Sequence, residues 1–277
     1  MTTFQGILYS ALHALSEILP LGSAAVQTLA AQATGWPRPP LALQGVMTAA
    51  VALSIALYFI HDWLSMTSCF IQVFLERKKP MTMDERMPFF LILTTTPVAL
   101  VWFNFYEEIE GHLDFSPLVI SITLIAFGIM LGMADHLSRK NKNMYDWNII
   151  DSLAIGVSQL ALFIPGCGRS AATITGGLFR NYSREATAKY SMFASLPILM
   201  ATARFQLHGF PLAGEFPIAD TSWLTLGTAF AVALGASLLA IGTLMKQIKK
   251  NGVSQYIWLR ILLGSAGIAM TFLHNSN

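Results

Sequence analysis

Charge is what this chain has least of. Only 12% of its 277 residues are Asp, Glu, Lys or Arg, against roughly a quarter in an average soluble domain. With 54% hydrophobic residues, so few charges cannot cover the surface of a water-facing core, and lipid is the expected solvent around most of the chain. Cysteine is nearly absent. Cys69 and Cys167 are far apart and have no neighbours at metal-ligand spacing, which excludes a disulfide framework and offers no zinc motif. A nucleic-acid surface is excluded too, because the 17 Lys and Arg are too few and too regularly set between apolar runs. No basic residue precedes the first apolar run, so Met1 to Pro20 does not read as a cleaved signal peptide and the mature protein is expected to start here. No loop is long enough for a soluble nucleotide-binding domain.

Long apolar runs are abundant. Six can cross about 30 Å of hydrocarbon at about 1.5 Å per residue; they cover roughly 42–60, 88–106, 116–134, 187–206, 221–245 and 254–273. Two further stretches, 4–34 and 149–178, are broken in the middle by Pro20-Leu21-Gly22 and Pro165-Gly166-Cys167-Gly168. Each of their halves is too short to span alone.

Basic residues set the orientation, since short cytoplasmic loops are enriched in Lys and Arg. Thirteen of the seventeen fall in four loops: Arg77, Lys78, Lys79 and Arg86; Arg139, Lys140 and Lys142; Arg180, Arg184 and Lys189; Lys246, Lys249 and Lys250. The loops between carry Glu107, Glu108, Glu110 and Asp114, or Glu215 and Asp220, and belong outside. Six spans satisfy this alternation only if 149–178 enters from the cytoplasm and returns to it.

The stretch 4–34 lacks a basic flank, but an internal repeat about 145 residues long makes it the counterpart of the second. Ile18-Leu19-Pro20 and Gly22-Ser23-Ala24-Ala25 echo Phe163-Ile164-Pro165 and Gly168-Arg169-Ser170-Ala171-Ala172. Each copy precedes three spans, and an odd number inverts the second copy relative to the first. The expected fold is therefore an all-α integral membrane protein, one polytopic domain over 1–277. Repeat one covers about 1–135 and repeat two about 145–277, each a re-entrant helical hairpin plus three transmembrane helices. Non-helical backbone at midplane depth persists only where protein buries it or a wet cavity adjoins it, so the hairpin tips are the candidate site.

At the first tip His13 and Glu17, four residues apart, share a helix face. Ionisable residues inside a membrane segment point to function by default; the plainer alternative is a pair that only holds the hairpin. Ser23, just past the break, serves either as a reactive hydroxyl or as an N-cap. At the second tip, Gly166 and Gly168 flank a turn followed by Arg169, Ser170 and Thr173. Converging backbone N–H groups, a helix N-terminus and a guanidinium together suit an oxyanion, with a structural Arg169–Glu17 pair as the alternative. Gln159 on the first arm and Arg260 in the last span are further ligand candidates. Gln159 could equally bond a neighbouring helix, and Arg260 could snorkel.

These residues resemble a known family. Ala14-Leu15-Ser16-Glu17-Ile18-Leu19-Pro20 is similar to the acidic first motif of the bacterial undecaprenyl-pyrophosphate phosphatases, the bacitracin-resistance membrane family. Pro165 to Thr173 resembles their second motif, usually written PGxSRSxxT, and Thr175-Gly176-Gly177 continues it. Ser183-Arg184-Glu185-Ala186, Tyr190-Ser191-Met192-Phe193 and Leu196-Pro197 resemble the segment after it, and Arg260 falls where the family has an arginine. The likeness covers nearly the whole chain. Four positions depart: His13 replaces a Glu or Gln, Gly22 a serine, Val26 a histidine, and Gly168 the first serine of the second motif. Glu17, Ser23, Arg169, Ser170 and Thr173 keep the pattern.

The resemblance implies removal of the terminal phosphate of a polyprenyl (undecaprenyl) pyrophosphate on the outer face of the bacterial plasma membrane. This recycles the lipid carrier for cell-wall synthesis, usually with a divalent cation, Mg or Ca. On that reading Arg169 and the N–H groups around Gly166 and Gly168 hold the scissile phosphate. Glu17 activates Ser23 or water, or holds the metal, and His13 moves a proton; Ser170, Thr173, Gln159 and Arg260 help bind substrate. The expected partners are the polyprenyl pyrophosphate lipid and the bilayer, with no nucleic acid; a homodimer is left open. One alternative is transport of a polyprenyl phosphate without hydrolysis, which needs Arg169 and the glycine nest but no nucleophile or base. A binding scaffold is the other.

Overall fold

Thr2 opens helix α1 (Thr3–Ile18) with a capping box, its hydroxyl accepting from Gln5 N while the Gln5 side chain accepts from Thr2 N. The helix ends ahead of Pro20, and α2 (Ser23–Thr34) runs back against it. Trp36, just beyond α2, closes the open end of this hairpin by packing its ring 6.3 Å from those of Phe4 and Tyr9. The computed structural model describes residues 1–112, 115–208 and 222–275. The acidic residues expected outside, Glu107, Glu108, Glu110, Asp114, Glu215 and Asp220, fall outside the described residues or side chains.

Helices α3 (Leu41–Tyr58), α4 (Ile60–Leu75), α5 (Met83–His112) and α6 (Pro117–Leu137) follow. The second broken stretch then forms α7 (Ile149–Gln159), a 3-10 turn over Leu160–Phe163 and α8 (Arg169–Phe179); α9 (Arg184–His208), α10 (Trp223–Asn251) and α11 (Ser254–Asn275) complete the chain. Both breaks fall where the sequence places them. Helix α4 is the element the apolar runs did not reveal. Only one of its faces is apolar enough to pack, with Trp63 placing its ring 5.4 Å from Phe193 on α9.

Among the described residues, five helices are long and apolar enough to cross a membrane: α3, α5 over Met83–Asn104, α6, α10, and α11 over Ser254–Leu273. The sixth expected span, α9, has the length at 25 residues. Arg184, Glu185, Lys189 and Arg204 make it too polar to count among the five. Leu100, Phe103, Met133, Leu239, Trp258 and Leu262 are exposed on the flanks of these helices, a surface suited to hydrocarbon rather than water.

The packing has a pairwise order. Helix α1 lies along α10 as α7 lies along α5, while α3 packs on α9 and α6 on α11. At one end, ion pairs gather the basic loops. Arg184 grips Asp135 through Nε at 2.6 Å and Nη2 at 2.7 Å, Lys189 bonds Asp62 at 2.7 Å, and Lys249 reaches Glu185 at 3.3 Å. Buried Asp151 accepts from Arg180, from Lys142 at 3.2 Å and from Tyr182 at 2.5 Å. A backbone bridge between Lys142 and Tyr182 adds to this. The start of α7 and the end of α8 are thereby tied together, so the second broken stretch leaves from and returns to the same end of the molecule.

Candidate active site at the hairpin tips

Two glycines make the tips possible. Gly22 (φ 83°) precedes α2 and Gly168 (φ 76°) precedes α8, both in backbone that side chains rarely adopt. They also touch each other. A Cβ on Gly168 would lie 2.6 Å from Gly22 Cα and 2.9 Å from Gly22 N. Two of the four departures from the resembled motifs, a glycine at 22 and a glycine at 168, therefore meet in a single backbone contact. Gly168→Ala is expected to destabilise the fold by about 1–3 kcal/mol through overlap and strain. Gly35→Ala, at φ 67° with nothing within 4 Å, should cost less. Thermal unfolding of the detergent-solubilised variants checks the order.

Arg260 fastens the two tips from behind. It is fully buried and donates from Nη1 to Pro20 O at 2.9 Å, from Nη2 to Cys167 O at 2.8 Å and to Gly166 O, and from Nε to Leu124 O at 3.3 Å. It does not snorkel. The burial corrects the snorkelling expectation, and four main-chain carbonyls take four of its five N–H donors. Ser170 adds a second tie, donating to Leu19 O at 3.2 Å.

In front of this clamp the two tips bring Glu17, Ser23 and Arg169 together. Glu17 lies one residue before the end of α1, and Ser23 and Arg169 are the first residues of α2 and α8. Arg169 donates to Glu17 Oε1 from Nη2 at 2.8 Å and from Nε at 3.1 Å, while the Ser23 hydroxyl donates to Glu17 Oε2. Ser23 is therefore no N-cap; Gly22 holds that position, and neither α2 nor α8 has a side-chain cap. Two helix N-termini with free N–H groups thus meet beside a buried guanidinium. Arg169 Nη1 is buried and has no hydrogen-bond partner among the described residues.

One step further from the tips, each hairpin is laced across its arms. Gln27 Nε2 contacts His13 Nδ1 at 3.1 Å, and Gln159 Nε2 donates to Thr173 Oγ1 at 3.1 Å. Thr173 in turn donates to Arg169 O at 3.0 Å. Gln159 and Thr173 are buried within the second hairpin, and each bonds the protein itself. His13 Nε2 and Gln159 Oε1 are buried without partners among the described residues. Sequence reasoning passed over Gln27, although its spacing of 14 residues from His13 repeats that of Gln159 and Thr173.

Among the described residues no three His, Cys, Asp or Glu side chains converge as a metal cage. A hard cation at the tips would have one protein carboxylate, Glu17, whose Oε2 accepts only the Ser23 hydroxyl. That donor set fits a cation held jointly with phosphate oxygens, the usual arrangement for Mg²⁺.

Helices of membrane length surrounding two broken hairpins, whose N-termini without side-chain caps converge on a buried arginine, define a multi-pass membrane protein. A family model for bacitracin resistance protein BacA matches residues 6–266, and the chain belongs to that family. Among its relatives, undecaprenyl-diphosphatases of Geotalea daltonii and Syntrophobacter fumaroxidans are each 30% identical over 99% of both chains. Undecaprenyl-diphosphatase 2 of Streptomyces avermitilis is 29% identical over 98% of this chain and 95% of its own.

Proposed function

We propose that this chain is an undecaprenyl-diphosphatase, a membrane hydrolase that removes the terminal phosphate of undecaprenyl pyrophosphate and returns the lipid carrier to cell-wall synthesis. Family membership supports the reaction. The observation that carries it to particular residues is Arg169: a buried guanidinium, steered by Glu17, with Nη1 still open beside two uncapped helix N-termini. Such an arrangement suits an oxyanion, and the terminal phosphate is one.

The Ser23 hydrogen bond to Glu17 supports Ser23, rather than water, as the nucleophile. Ser23 Oγ bonds to the terminal phosphorus as Glu17 takes its proton. The bond from that phosphorus to the bridging oxygen breaks, and undecaprenyl phosphate leaves with the proton relayed to its oxygen. Water then attacks the phosphoserine with Glu17 as base, the Oγ–P bond breaks, Oγ regains a proton and inorganic phosphate departs. Arg169 Nη1 and the first-turn N–H groups of α2 and α8 stabilise the charge on the equatorial oxygens in both steps. Glu17 would also hold Mg or Ca against the pyrophosphate, and a bound cation would neutralise part of its charge.

The exchange of α1–α10 for α7–α5, with α3–α9 and α6–α11 paired across the middle, supports two inverted repeats in one membrane domain. The shared end of α7 and α8 among the basic loops supports a hairpin re-entering from the cytoplasm, and inversion then opens the first hairpin to the outer face. The prenyl tail lies between helices in lipid. Glu17→Gln keeps the shape but cannot take the proton, and should lower kcat about 10²–10⁴-fold. Substrate supplied only to the outer face of sealed vesicles in native orientation should still be hydrolysed by the unsubstituted protein. Full turnover in Glu17→Gln would remove the carboxylate from the reaction, and hydrolysis only after permeabilisation would reverse the assigned face.

A further inference from the structure

We infer that Gln27 is a positioning residue that fixes the tautomer of His13, so that His13 presents an N–H rather than a lone pair from Nε2. The assignment of its catalytic use rests on the phosphatase reading above; the tautomer itself does not.

The side-chain amide of Gln27 has two polar neighbours. Its nitrogen lies 3.3 Å from Ser23 O and 3.1 Å from His13 Nδ1. A main-chain carbonyl can only accept, so the amide atom facing Ser23 O must be the NH₂ group; the flipped amide would set two acceptors against each other. The same NH₂ then directs its second hydrogen at His13 Nδ1, which must be the bare nitrogen. In a neutral imidazole the proton is consequently on Nε2. That atom is buried and has no partner among the described residues.

The second hairpin holds a different pair in the same slot. Gln159 and Thr173 have the same 14-residue separation across the arms, both side chains are buried, and the atom left over is an acceptor, Gln159 Oε1. In the first hairpin the atom left over is a donor, His13 Nε2–H, and it stands under the electrostatic influence of both Glu17 and Arg169. A donor in that field suits a phosphoryl oxygen. A histidine is present at 13 on the first arm and none at 26 on the second, and Gln27 beside 26 reaches across to hold it.

In the reaction, His13 Nε2–H would hydrogen-bond the departing phosphate oxygen as its bond to the terminal phosphorus lengthens, leaving ground-state binding to Arg169. The signature is a fall in kcat without a matching rise in KM.

The test combines tautomer and rate. Protein labelled with ¹⁵N-histidine, with the His13 signals identified by their loss in His13→Asn, is compared with Gln27→Leu and Gln27→Glu. The expected result is an Nε2–H tautomer in the unsubstituted protein and an Nδ1–H tautomer in Gln27→Glu, whose carboxylate can only accept. Both Gln27 variants should lose about 10-fold or more in kcat, with KM within about twofold. An Nδ1–H tautomer in the unsubstituted protein, or Gln27→Leu with undiminished kcat, would overturn the inference. Unsubstituted protein that binds lipid but releases no phosphate would contradict the phosphatase reading instead, and the tautomer comparison, read without turnover, would still decide the role of Gln27.

Discussion

Arg169→Ala is expected to lower phosphate release about 10³-fold, a loss of the same order as that of Glu17→Gln. Arg169 does two things at once in the proposed reaction: Nε and Nη2 hold Glu17 Oε1, and Nη1 is left for the phosphate. Lysine cannot divide its donors this way, because a single ammonium on a flexible stem replaces a planar fork. Arg169→Lys should accordingly stay near the alanine variant rather than recover. Removing the guanidinium also leaves Glu17 buried without its cation, a loss of about 3–5 kcal/mol in stability. The double variant Glu17→Gln/Arg169→Ala relieves that charge and should regain much of the thermal stability while remaining inactive. Unfolding midpoints in detergent, measured beside phosphate release, separate the two effects; a lysine variant with full turnover would show that the fork is not needed.

Arg260→Met should produce a stability loss of comparable size without touching the reacting groups. Four carbonyls, at Pro20, Gly166, Cys167 and Leu124, give up their donor in a place water does not reach. Each unpaired buried acceptor costs about 1–3 kcal/mol, so the total exceeds about 3 kcal/mol even with partial relaxation. Because the carbonyls belong to both tips, their separation should also pull Glu17 away from Arg169 and reduce turnover. Cys167 provides a direct reporter, since its thiol is buried behind the clamp. Its modification by a thiol reagent should be slow in the unsubstituted protein and fast in Arg260→Met, with the half-buried Cys69 as the internal control. Equal labelling rates at Cys167 would mean that Arg260 does not hold the tips closed.

Much of this was legible in the chain. Pro20 and Pro165, set among glycines inside otherwise apolar stretches, mark the two breaks because proline cannot continue a helix and the turn needs positive φ. The repeat about 145 residues long then brings the breaks together, and with them Glu17, Ser23 and Arg169. What stayed hidden depends on distances between side chains remote in sequence. Arg260 carries no local sign that its partners are carbonyls of both tips, so an arginine near a span end reads equally as a snorkelling cation. Helix α4 escaped because its apolar residues cover one face only, which a search for long hydrophobic runs ignores. Gln27 is an ordinary polar residue on α2 until the hairpin folds it against His13, and the glycines at 22 and 168 look like two separate losses until their backbones touch.

The most direct measurement is phosphate release from undecaprenyl pyrophosphate by the purified protein, with Mg²⁺ or Ca²⁺ and with chelator, beside Arg169→Ala. The expected result is turnover in the unsubstituted protein, supported by the cation, and its loss in the variant while the fold is retained. Folded, lipid-binding protein that releases no phosphate under any of these conditions, or an Arg169→Ala variant that keeps pace, would contradict a phosphatase site at the hairpin tips.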